Sequence, residues 1–133
     1  MGVYGLAEQQ QVPQASVDPN VVRKLLQHVP LTVSQTVIVS RGPQVLASRG
    51  VLKPFEAADV AIYVAEGWED ASQTLRIQFM RLPLSSFARL LVTYPLKGGY
   101  QLTLVDTEEA SLDQLRHLAK QLITVLQAAG VGR

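Results

Sequence analysis

The sequence predicts an α+β domain: a five-stranded antiparallel sheet with helices on its faces, in the order helix, two strands, helix, three strands, helix. Three observations carry this reading. Three stretches repeat apolar residues at helical spacing between helix start and stop signals. Five short runs are rich in β-branched residues or alternate apolar with polar. Within each strand group the connections are hairpin-length, which antiparallel neighbours allow and parallel ones do not. A chain of 133 residues is one domain. It buries about two-thirds of its unfolded surface, enough for a core without covalent staples.

Residues 1–17, with Gln9, Gln10, Gln11, Pro13, Gln14 and Ser16, read as a mobile polar arm, residues 18–130 as the domain and 131–133 as a tail. Asp18 caps the first helix, and Pro19 occupies the first helical position, where its missing N–H loses nothing. Val21, Val22, Leu25, Leu26 and Val29 form its apolar stripe, and Pro30 stops it. Strands are expected at 33–40 and 44–48, joined by Arg41-Gly42-Pro43. A second helix is expected at 54–66, closed by Gly67 with Trp68 folded back over the last turn. Residues 73–80 alternate, with Leu75, Ile77 and Phe79 on one face and Arg76, Gln78 and Met80 on the other. Strands at 87–94 and 100–105 follow, separated by a turn at 95–99. Ser111 and Gln114 make a capping box for the last helix, whose face is Leu112, Leu115, Leu118, Ala119, Leu122, Ile123 and Leu126, and Gly130 ends it.

The central helix is the most informative stretch. Glu56, Asp59, Tyr63 and Glu66 form one narrow polar stripe. The rest is apolar on two flanks: Phe55, Ala58, Ile62 and Ala65 on one, Ala57, Val60, Ala61 and Val64 on the other. One stripe suffices to cover a small core. The second flank asks for a second partner, most economically another copy of the chain. Within 73–80 Arg76 is the sole charge, and such a strand, where it stands at a sheet edge, invites pairing. A copy-to-copy interface is therefore expected at Phe55, Ala58, Ala61, Ile62 and Ala65, with Leu75, Arg76, Ile77 and Gln78 from the strand. The polar stripe is expected to stay exposed and meet a partner.

Composition agrees with an extra buried surface: 47% of residues are hydrophobic and only 17% charged, with mean hydropathy +0.15. The charges nearly cancel, 12 basic against 11 acidic, which argues against nucleic acid as the main partner. There is no cysteine, so disulfides and thiolate metal sites are excluded. Residues 25–40 carry no formal charge but are broken by Gln27, His28, Pro30, Ser34 and Gln35, too short a run to insert in a membrane. The amino terminus lacks the basic start and apolar run of a signal peptide, so the expected location is cytoplasmic.

No catalytic constellation stands out, and no cofactor or metal is expected. His28 and His117 sit on different helices, without the three or four clustered ligands a metal needs. Ser85-Ser86 lacks a nucleophile elbow, and Gly98-Gly99 lacks a phosphate-loop pattern, so both read as turns. A carboxylate stripe on a helix offers solvent rather than the cleft that acid–base work needs. Arg41, Arg49 and Lys53 cluster near the first hairpin and read as solubility charges.

The residues resemble a known family. TVIVSRGPQVLAS at 36–48 is similar to the first hairpin of the Roadblock/dynein light-chain family, the Ala-rich helix to its central helix, LLVTYPLKGGYQLTLV at 90–105 to its last hairpin, and 112–126 to its closing helix. The likeness covers residues 18–126. Arg41 before Gly42 replaces the acidic or Asn residue common in that turn, and Pro83 stands in a turn that usually holds Gly. The resemblance implies a Roadblock/profilin-like fold and a homodimer that pairs third strands and packs central helices. It also implies a non-enzymatic regulator or scaffold for a Ras-like small GTPase, as an activator in signalling, or an adaptor in dynein. The alternative is a profilin-like or sensor-type module, holding a small ligand in an apolar pocket or scaffolding a signalling complex without a GTPase.

Overall fold

The computed structural model describes residues 17–66, 75–83, 85 and 87–132. The helix close expected at Gly67 and Trp68, and all of the expected arm but Val17, lie outside the described residues. The elements are α1 (Pro19–Leu26), β1 (Thr36–Arg41), β2 (Gln44–Gly50), α2 (Pro54–Glu66), β3 (Arg76–Arg81), β4 (Ala88–Pro95), a 3-10 turn at Lys97–Gly99, β5 (Tyr100–Thr107) and α3 (Leu112–Ala128).

The sheet is antiparallel throughout, with strand order β2-β1-β5-β4-β3. β1 and β5 are central and buried on both faces, so they read as continuous apolar or Thr/Ser runs rather than alternating ones. β2 and β3 are the edges. α1 and α3 cover one face, packing on Val37, Val39, Leu90, Val92, Leu102 and Leu104. α2 covers the other, where Ala57, Val60 and Val64 meet Ile38, Leu91 and Val105.

Local chemistry explains the boundaries. The Asp18 carboxylate accepts the Asn20 N–H at 2.9 Å, and Ser111 Oγ accepts that of Gln114 at 3.3 Å, so both expected caps form. Glu56 accepts the Lys53 N–H at 2.9 Å and fixes the start of α2. Gly130, at φ +96°, ends the turn after α3. Gly50 holds φ +139°, and a Cβ there would stand 2.3 Å from the Gln35 carbonyl oxygen, so only glycine lets β2 leave past β1.

Three expected boundaries are corrected. The first helix ends at Leu26 rather than running to Pro30, with 27–28 in a turn. The first strand begins at Thr36 rather than at 33. Val33 is 95% exposed, and 32–35 form a turn whose Ser34 and Gln35 side chains bond Asp106. The domain also continues past 130, because Val131 is fully buried in the core beneath α1 and α3. Among the described residues no helix is long and apolar enough to cross a membrane.

Candidate interaction surface

α2 is apolar on two flanks, and the sheet takes one of them. Ala57, Val60, Ala61 and Val64 are buried against it. Phe55 and Ile62 remain 55% and 44% exposed, with Ala58 and Ala65 half-buried beside them. Ala61, expected at a copy-to-copy interface, is instead 1% exposed within the chain and has no surface to offer. Helical geometry sets this: Ala61 lies one turn from Ala57 and Val64, on the sheet side.

The polar stripe also has a direction. Tyr63 donates its hydroxyl to the Phe79 carbonyl on β3, at 3.3 Å. That bond places Tyr63 toward the β3 edge, and at 3.6 residues per turn Ile62 lies about 100° around the helix from it. Glu56 and Asp59 are half-buried, Tyr63 and Glu66 exposed. Glu56 and Tyr63 are thus engaged within the chain, one at the helix start and one on the edge strand.

β3 is an open edge. Its register places Arg76, Gln78 and Met80 on the α2 side, opposite Thr93, Leu91 and Arg89 of β4. Ile77 and Phe79 lie on the α1/α3 side, opposite Val92 and Leu90. Met80 packs with the α2 cluster and Leu75 against the other core. Ile77 and Phe79 are 47% and 55% exposed, because α3 lies over β5 and does not reach them. Gln78 Oε1 and Arg89 Nε are buried without a hydrogen-bond partner on the α2 side of this strand pair.

Three structural roles escaped sequence reasoning. Arg49 is not a solubility charge: its guanidinium donates to the Leu26 and Val29 carbonyls and closes the C-terminal end of α1. Arg41 donates to the Gly98 carbonyl at 3.1 Å and lies over the Tyr100 ring, tying the two hairpin ends together. Asp106, 5% exposed, accepts from Ser34 at 2.8 Å, from Gln35 at 3.1 Å and from the Thr107 N–H at 2.7 Å. With both oxygens bonded, this carboxylate is a structural knot between the β1 approach and β5.

Chemistry beyond contact is sparse. Among the described residues no group of three or more His, Asp or Glu is placed to hold a metal ion. Burial pushes the Tyr94 phenol above its ordinary 10.0, while Arg116 of α3, bonded to it, pulls the other way. A half-open apolar cleft of about 360 Å³ lies between α1 and α3, lined by Leu25, His28, Val29, Leu118, Leu122 and Val125.

A five-stranded antiparallel sheet in this order, with one helix on one face and two on the other, is a Roadblock-type fold. Solved structures bear this out. The chain is similar to a structure described as MglB with tetrameric arrangement, at 18% identity and TM-score 0.57, covering 84% of this chain and 86% of that one. It is similar to Myxococcus xanthus MglB at 14% identity and TM-score 0.53, covering 84% and 90%. It is also similar to a Roadblock/LC7 domain from Streptomyces avermitilis at 19% identity and TM-score 0.50, covering 85% and 96%. No family model and no curated protein matches the sequence.

Proposed function

We propose that this protein is a homodimeric, non-enzymatic regulator of a Ras-like small GTPase. The observation that carries the reading is the pairing of a Roadblock-type fold with two surfaces unfinished among the described residues: the β3 edge and the outer flank of α2. The MglB and Roadblock likenesses support it. The β3 edge pairs with the same edge of a second copy, completing the backbone hydrogen bonds of both. Tyr63 lies on the side of α2 that faces that junction. Phe55 and Ile62, exposed on the outer flank, meet the GTPase. The reading thus exchanges the roles expected for Tyr63 and for Phe55 and Ile62, because Tyr63 reaches the β3 edge.

The test is affinity capture from a lysate of the source organism, run with a GTP analogue and with GDP, using the native chain and a Phe55→Glu/Ile62→Asp variant. A Ras-like GTPase enriched with the analogue, and lost from a variant that stays dimeric, fits the reading. Absence of a GTPase in both arms refutes it.

The α1/α3 cleft favours one second reading, a sensor-type module that takes a small apolar ligand, since its volume lies in the range of ligand sites. A monomer that retains an apolar molecule through purification would select it.

A further inference from the structure

We infer that the dimer carries a second docking site on its opposite face, a trough over the paired β3 strands that takes one amphipathic helix with acidic side chains on both flanks. The inference rests on the β3-edge dimer proposed above and concerns a partner distinct from the GTPase.

Two residues of β3 make the floor. Ile77 and Phe79 present large apolar side chains on the face covered elsewhere by α1 and α3, and among the described residues no helix covers them. Tyr94 of β4 continues this floor toward α3, where Arg116 bonds it. In a protomer this is half of a shelf: an apolar floor with one wall and one open side. Edge pairing sets the second copy's Ile77 and Phe79 beside the first and supplies the missing wall, the other α3.

The dimensions select the occupant. α3 lies over β5. From β5 of one copy to β5 of the other runs a six-strand sheet, five spacings of about 4.8 Å or about 24 Å in all. Subtracting one helix diameter of about 10–12 Å leaves about 12–14 Å between the two α3 helices, room for a single helix. Width and apolar floor match helix-in-groove recognition.

Charge selects its chemistry. Arg81 ends β3 on the same face as Ile77 and Phe79 by strand alternation, and it is exposed. Arg116 and Lys120 stand one turn apart on exposed α3. The acid on α3 is Asp113, in its first turn. The twofold repeats these cations on both rims, so a helix with acidic residues on both sides of its apolar stripe is complementary, whichever way it runs. One trough on a twofold axis holds one helix per two chains.

The test uses the full chain and two synthetic 18-residue helices, each with a leucine stripe, one flanked by glutamates and its twin by lysines. Calorimetry measures affinity and stoichiometry, and sedimentation measures the oligomer. The expected result is saturable binding of the glutamate helix at one per two chains, at least tenfold tighter than the lysine twin. Arg116→Glu/Lys120→Glu and Phe79→Ser should each weaken it at least tenfold while the protein sediments as a dimer. An intact dimer that shows no saturable binding, binds both helices equally, binds one per chain or ignores those substitutions overturns the trough and leaves the dimer standing. Preferential capture by anionic vesicles overturns it in favour of a membrane surface. A monomer overturns the trough together with the dimer.

Discussion

Two adjacent residues of α2 test its orientation. Ala61 is 1% exposed against the sheet and Ile62 is 44% exposed beside it. Aspartate at 61 places a carboxylate among Ala57, Val64 and the sheet, with no described partner to bond it. An uncompensated buried charge costs about 3–5 kcal/mol, and the added volume about 1–3 kcal/mol more. Against a total stability of about 5–15 kcal/mol, that removes most or all of the folded population. Aspartate at 62 reaches water and forfeits only the buried half of the isoleucine, about 1 kcal/mol. Helix propensity is poor for both variants and does not separate them. The difference, about 3 kcal/mol or more, corresponds to at least about 1–2 M in urea midpoint at an m-value near 2 kcal/mol/M. Urea unfolding followed by circular dichroism at fixed protein concentration reads it directly. Coincident transitions, or a weaker Ile62→Asp protein, would refute the orientation. Sedimentation adds a second check on the proposed β3-edge dimer: Ile62→Asp should leave the oligomer of the native chain unchanged.

Three further outcomes follow from particular contacts. Arg49→Ala leaves the Leu26 and Val29 carbonyls without their charged donor and should destabilise by about 2–3 kcal/mol, with Arg49→Lys recovering part of it in the same urea assay; equal loss in both variants would mean that shape, not donation, matters. Gly50→Ala should destabilise by more than about 2 kcal/mol, because its Cβ meets Gln35 and Thr36 backbone atoms at 2.3 and 2.4 Å at a φ that L residues avoid, and a wild-type melting temperature would contradict this. The Tyr94 phenol binds its proton more tightly folded than unfolded, so stability should fall as pH rises past the ordinary 10.0. Arg116→Ala removes the opposing pull and should move the phenolate absorbance step to still higher pH, and a step moved downward would contradict burial as the dominant cause.

Much of the fold was legible because local chemistry and global packing agree. The two flanks of α2 read from spacing alone are the two the structure separates, with Ala57, Val60, Ala61 and Val64 against the sheet. Asp18 and Ser111 cap the helices they announce. Legibility failed where a side chain acts across the chain. Arg49 sits 23 residues from Leu26, and Asp106 sits 72 from Ser34, so no local pattern marks either as structural. Val33 looked like strand by composition, yet the approach to β1 bends to reach Asp106 and leaves it in solvent. Nor does residue spacing show that Tyr63 reaches across to the Phe79 carbonyl on β3.

The pattern on β3 is hard to account for within one chain. Its residues alternate, and a slip of one residue would send Ile77 and Phe79 to the α2 side and Arg76 and Gln78 to the other. The slip does not occur, because Met80 is already fixed in the α2 cluster and Leu75 in the opposite core. The strand is therefore locked in a register that exposes two large apolar side chains and buries Gln78 Oε1 without a partner. Scattered exposed apolar residues need no explanation, but these two are neighbours on one face of an edge that no described strand pairs, where a long apolar strand is normally blunted by charge, proline or a bulge. Arg76 and Arg81 stand only at its ends. The proposed β3-edge dimer and the proposed trough across its open face draw on different parts of this strand, so the two are separable by experiment. Phe79→Ser removes floor from the trough and leaves the backbone edge intact, so it should lower helix binding while the chain stays dimeric.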